Sequence, residues 1–188
     1  MTENEKKYYI KIIDSLIFAS EVPLLIKSIA DIISISNESL VLELVQTLKE
    51  HYDMEENHGI KVIEVANGFQ FRTKEENSTW LKKLSTLKPY KLSRAAMDTL
   101  AIVAYKQPIT RAEVEYIRGV DSSGVVKLLL EKGLVKMIGK KREAGRPMLY
   151  GTAERFLEYL GINSLSDLPQ IGEISEGEGE KTSSDSDS

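Results

Sequence analysis

Apolar residues recur at helical spacing along most of the chain, interrupted twice by short alternating runs. From about Glu5 to Ser20 the pattern predicts a first helix, which Pro23 breaks, and a shorter amphipathic helix follows in LLIKSIADIIS. Asn37 is placed to cap a third helix, on which Leu40, Val41, Leu44, Val45 and Leu48 share one face. The stretch GIKVIEVANGFQFRT then sets Val62, Ile63 and Val65 before Asn67-Gly68, and Phe69 and Phe71 after it. This pattern predicts a hairpin whose tight turn takes its two positive φ angles at Asn67 and Gly68. Thr73 and Glu76 have the spacing of a capping box opening a helix through Trp80 and Leu84.

The second half repeats that order. AAMDTLAIVAYKQ predicts a helix stopped near Pro108, Thr110 and Glu113 form another capping box, and VDSSGVVKLLLEKG supplies a third helix ended by Gly133. LVKMIG and PMLYGT read as two strands, and AERFLEYLG closes the unit. IDSL from Ile13 parallels MDTL from Met97, and Pro23 and Pro108 stand at nearly the same offset. Three helices capped by a two-stranded hairpin are the winged-helix arrangement, so the expected fold is mostly α with small β hairpins, as two tandem winged-helix domains. Residues 1–86 form the first and 87–170 the second; Pro89 and Ser93 mark the junction.

Composition narrows what such a chain does. With 41% hydrophobic and 29% charged residues it has the balance of a globular protein, and no apolar run reaches the roughly 18 residues of a membrane helix. The absence of cysteine removes disulfides, thiolate metal sites and cysteine nucleophiles, and fits a reducing cytoplasm. The charged N-terminal stretch has no signal-type core. Residues 171–188 concentrate Gly, Ser and Glu with few apolar side chains and are expected to form an acidic disordered tail. Without them the net charge of -4 becomes about +1, far from the basic balance of a dedicated DNA-binding domain.

No phosphate-binding loop, dinucleotide fingerprint or nucleophile elbow is present, and nothing marks a paired acid–base site, so neither an enzyme nor a cofactor is expected. The two histidines, His51 and His58, lie seven apart, unlike a helical metal pair, and read as solvated. Nucleic-acid binding is the rival reading, because a helix-turn-helix inserts the start of its recognition helix into the major groove. The first such helix carries Glu38, Glu43 and Glu50 against Lys49; the second starts at Asp121 with only Lys127 and Lys132 as cations. Neither presents the Arg, Asn and Gln set that reads base edges. Lys140, Lys141, Arg142 and Arg146 on the second hairpin loop could meet about four phosphates, which gives weak and nonspecific affinity. On the first helix Ile10, Ile12, Ile13, Leu16 and Ile17 cover an arc of about 160°, more than one small core requires. Either the helix is deeply buried in its own domain or it also forms a homodimer interface, for which Ile10, Ile13, Ile17 and Phe18 are the candidates.

AYKQPITRAE from Ala104, IRGVDSS from Ile117, GRPMLYGT from Gly145 and FLEYLGINSLSDLP from Phe156 resemble, in order and spacing, the segregation and condensation protein B family, ScpB. The likeness spans Thr99 to Pro169, whereas the first module agrees in architecture more than in residues. It implies a non-catalytic, cytoplasmic, nucleoid-associated subunit of the bacterial SMC condensin-like complex, acting in chromosome condensation and segregation. It also implies a homodimer formed through the first domain that binds the kleisin ScpA and, through it, the SMC ATPase, with only indirect contact to DNA. The second module is then the expected kleisin-binding part. Tyr105, Gln107, Pro108, Ile109 and Arg111 would form its first corner, and Arg146, Pro147 and Tyr150 its wing. Lys140, Lys141 and Arg142 remain possible DNA contacts. The alternative is a winged-helix DNA-binding transcriptional regulator.

Overall fold

Thr2 starts the first helix, α1 (Glu3–Ala19), through a capping box: its hydroxyl accepts the Glu5 N–H, and the Glu5 carboxylate accepts the Thr2 N–H at 2.6 Å. After Pro23 the chain forms β1 (Leu24–Leu25), α2 (Ile26–Ile33), α3 (Glu38–Met54), β2 (Ile60–Val65) and β3 (Gly68–Thr73). A 3₁₀ turn, Glu75–Asn77, and α4 (Ser78–Leu84) follow. The same order returns as α5 (Arg94–Lys106), β4 (Ile109–Thr110), α6 (Arg111–Arg118), α7 (Ser123–Glu131), β5 (Val135–Lys140), β6 (Met148–Thr152) and α8 (Glu154–Leu160), then a 3₁₀ turn at Leu165–Asp167. The architecture, a computed structural model describing residues 1–55, 57–84 and 91–170, is thus mostly helical with two antiparallel three-stranded sheets, ordered β1-β3-β2 and β4-β6-β5. The expected junction at Pro89, the boundary between residues 86 and 87 and the acidic segment 171–188 lie outside the described residues.

Local signals set most of these boundaries. Asn37 accepts the Leu40 N–H, Ser93 accepts the Ala96 N–H, and Thr110 and Glu113 make the reciprocal capping box their spacing predicts. Elsewhere tertiary contacts overrule the local signal. Leu24 and Leu25 leave the helix expected for LLIKSIADIIS because they pair with Phe69 and Gly68, adding a third strand to the hairpin. The positive φ angles of the first turn fall on Ala66 (50°) and Asn67 (59°), one residue earlier than expected. Gly68 instead pairs with Val65 as the first residue of β3 and sits against β1. A Cβ there would stand 2.9 Å from the Pro23 carbonyl carbon and 3.0 Å from the Leu24 backbone. Thr73 does not cap a helix: it is held in β3 opposite Ile60, and the chain enters the 3₁₀ turn through Lys74 with no side-chain cap. The parallel between IDSL and MDTL does not mark equivalent positions either. The first helices of the two halves end 87 residues apart, at Ala19 and Lys106, and the strands after them start 85 apart, at Leu24 and Ile109.

Each half has its own core. Ile13, Ile17, Ile29, Leu44, Val45 and Val62 lie at the centre of the first, and Leu100, Val103, Val114, Leu129, Val135 and Phe156 at the centre of the second. Each large aliphatic side chain so buried contributes on the order of 1.5–3 kcal/mol. This placement corrects part of the interface expectation. Ile13 and Ile17 are 0% and 1% exposed within the chain's own core, where a second copy cannot touch them, and Ile10 is half-buried at its edge. Phe18, at 76% exposure, does face outward. The halves meet where the Ala66 N–H donates to the Ile162 carbonyl at 3.0 Å and Arg72 Nη2 reaches the Glu158 carbonyl at 3.3 Å.

Candidate partner-binding surface

The corner between α5 and α6 is built around Gln107. Its side-chain amide nitrogen donates to the Ala104 carbonyl at 3.1 Å and to Thr152 Oγ1 at 3.0 Å, while its oxygen accepts the Thr152 N–H at 2.9 Å. One side chain therefore ties the end of α5 to β6. The strand is held close enough that a Cβ at Gly151 would stand 2.7 Å from Gln107 Oε1. Ile109, 3% exposed, pairs with Tyr150 between β4 and β6 and packs into the second core, against which Tyr150 also rests. Tyr105 donates its hydroxyl to the Pro169 carbonyl at 2.7 Å, pinning the chain beyond the last 3₁₀ turn to the same corner.

The structure thus divides the eight residues expected at this surface. Gln107 and Ile109 are occupied in holding the fold, and Tyr105, Pro147 and Tyr150 are half-buried. Pro108, Arg111 and Arg146 are exposed; Arg111 lies along α6 with its Nε 3.3 Å from Glu115. Arg146 takes a φ of 40°, and its N–H donates to the Glu143 carbonyl, closing the loop between β5 and β6.

That loop is fastened to α6 by an ion pair between residues far apart in sequence. Glu113 Oε2 accepts the Thr110 N–H and hydroxyl at 2.8 Å each, and Oε1 accepts from Lys141 Nζ at 2.8 Å. Lys141 also lies 3.1 Å from Glu143, and its N–H donates to the Pro147 carbonyl. The hydrogen bond from Lys141 and the two from Thr110 hold the Glu113 carboxyl at about 2, below its ordinary 4.5, while Glu113 and Glu143 raise the Lys141 ammonium. Lys141 is therefore a strut and not a loose surface cation. Lys140, Arg142 and Arg146 are exposed, with no side-chain partner among the described residues.

The helices that would enter a DNA groove carry paired charges. Glu43 on α3 accepts from Lys6 at 2.8 Å, Lys49 lies 3.4 Å from Asp53, and Lys127 on α7 lies 3.9 Å from Glu131. His51 and His58 meet edge-on with ring centres 5.5 Å apart, beside Tyr52. A patch that residue-by-residue reading passes over stands at the turn between α6 and α7: Tyr116 is 89% exposed, with Ile117 and Val120 beside it in sequence and also exposed. Its signal was available, because Tyr116 falls about 200° around α6 from the buried Val114.

The chain is similar in sequence to known proteins. A family model described as segregation and condensation complex subunit ScpB matches residues 11–171. Segregation and condensation protein B of Syntrophotalea carbinolica is 45% identical over 88% of this chain and 83% of its own length, and that of Clostridium tetani is 44% identical over 93% and 91%. The crystal structure of ScpB from Mycobacterium tuberculosis is 27% identical, covering 84% of this chain and 98% of that one, with a TM-score of 0.40.

Proposed function

The chain belongs to the family of segregation and condensation complex subunit ScpB, and from that premise we propose that it is a non-catalytic subunit of an SMC condensin-like complex. It acts in chromosome condensation and segregation, in the cytoplasm on the nucleoid, by binding the kleisin ScpA. In this reading each repeat of three helices and a sheet is a winged-helix domain, residues 1–86 and 87–170. The first domain pairs two copies of the chain, and the second contributes to the kleisin site. The observation that carries the proposal is the family match across both repeats, from residue 11 to 171.

The surface supports it. Pro108, Arg111 and Arg146 are the exposed members of the corner and wing, and we assign them direct contact with the kleisin; Gln107, Ile109 and Tyr150 support them from below. Phe18, with Tyr8 exposed on the same helix, is assigned to the contact between copies. The DNA-binding regulator is disfavoured because α3 carries Glu43 paired with Lys6 and Lys49 paired with Asp53, and Lys127 on α7 lies beside Glu131, so neither helix presents the side chains that read base edges. Affinity capture of the tagged chain from its own cells tests the choice and should recover ScpA. Sequence-specific duplex binding at submicromolar concentration, with no ScpA recovered, would overturn it.

A further inference from the structure

The tip of the hairpin between β5 and β6 gathers charge without apolar surface. Residues 139–147 read GKKREAGRP, four cations and one carboxylate with no large apolar side chain. The carboxylate, Glu143, is taken up by Lys141 at 3.1 Å, and Lys141 is itself bound by Glu113 at 2.8 Å. Lys140, Arg142 and Arg146 are left exposed, with no side-chain partner among the described residues. We propose that this tip contacts the phosphate backbone of duplex DNA directly, through Lys140 and Arg142 with Arg146 beside them, and without regard to base sequence.

The loop holds these cations on a fixed support. Lys140 pairs with Met148 at the end of the ladder, the Lys141 N–H donates to the Pro147 carbonyl at 2.9 Å, and the Arg146 N–H donates to the Glu143 carbonyl at 2.9 Å. Gly145 and Arg146 turn the chain with φ of 80° and 40°, and Lys141 braces the loop against α6 through Glu113. A support ordered before binding loses little freedom on contact. The chemistry of the tip selects its partner. A protein interface centres on buried apolar or aromatic anchors, and the tip has none. The helices that would enter a groove, α3 and α7, carry the paired charges described above, so the duplex is met from outside, through its phosphates. Three phosphates so neutralised give a salt slope of about -2.7, and Lys141 adds nothing because its charge is already matched.

Fluorescence anisotropy of a short labelled duplex, titrated with the full-length chain at several salt concentrations, gives the slope of log K against log salt. The slope should be about -2.7 for the unaltered chain and should flatten toward about -0.9 in Lys140→Gln with Arg142→Gln, with most binding lost at low salt. Lys49→Gln with Lys127→Gln, on α3 and α7, should leave it unchanged. A slope that stays the same in the tip variant, or flattens as far in the helix variant, overturns the proposal. So does polyglutamate competing better than unlabelled duplex of equal charge, which would make the tip a site for acidic protein. The inference goes beyond the kleisin reading and does not depend on it. Arg146, assigned to the kleisin, stays in place throughout, so the salt slope and the capture of ScpA are read separately.

Discussion

Gly68 shows how far a single residue's role depends on what lies across from it. Its partner in the Asn-Gly dipeptide takes a positive φ, but Gly68 itself is extended and is small because Pro23 and Leu24 press against it. Gly68→Ala should therefore destabilise the first half by about 1–3 kcal/mol, through the clash with backbone that cannot yield. Ala66→Gly should stabilise it by a few tenths to about 1 kcal/mol, because alanine bears the cost of φ 50°. Urea denaturation of both variants measures the difference, and a turn centred on Gly68 would give the opposite order. A second residue-scale prediction concerns Glu113. Its folded value near 2 lies below the ordinary 4.5, so its stabilisation is complete above about pH 4.5 and is lost as the pH falls toward 2. Lys141→Ala removes the largest cause of that shift. It should lower stability only slightly near neutrality, in keeping with an exposed pair, and flatten the dependence of stability on pH between 4.5 and 2.

Among the elements, α6 and α2 occupy the same place in the repeat but are held differently. α6 begins in the Thr110–Glu113 box and ends at Gly119, φ 70°; α2 begins at Leu25 without a side-chain cap and ends at Ser34, φ 57°. The second half is also tied across the chain by Gln107, which joins the end of α5 to β6. Gln107→Ala would leave the Thr152 N–H without its acceptor, and should lower stability by about 1–3 kcal/mol in thermal or urea unfolding. Kleisin recovery per folded molecule should be retained. Arg111→Ala should do the reverse, changing stability by less than about 0.5 kcal/mol while reducing ScpA capture. Finding both variants alike in both assays would dissolve the division between supporting and contacting residues.

For the molecule as a whole, two cores of separate composition, joined among the described residues by hydrogen bonds that include Ala66–Ile162 and Arg72–Glu158, set what a charge on α1 does. Ile17→Asp places a carboxylate inside the first core and should unfold that half, at a cost of 3 kcal/mol or more by order of magnitude, without acting on assembly as such. Phe18→Asp lies outside it, should leave the melting temperature nearly unchanged, and should convert the dimer to monomer in light scattering. A dimer that persists in Phe18→Asp would move the contact between copies off this face of α1.

How much was legible beforehand follows from distance along the chain. The order of helices and hairpins, the caps at Asn37, Ser93 and Thr110, and the buried stripe of α3 were determined by the sequence itself, because periodicity and capping operate within a few neighbouring residues. Tertiary structure alone decided that Gly68 serves a strand contact, that Lys141 is spent on Glu113, that Gln107 is a tie to Thr152, and that Ile13 and Ile17 belong to the core. Each of those outcomes depends on a partner tens of residues away. The local pattern can name the group that needs a partner, but only the packed chain supplies one.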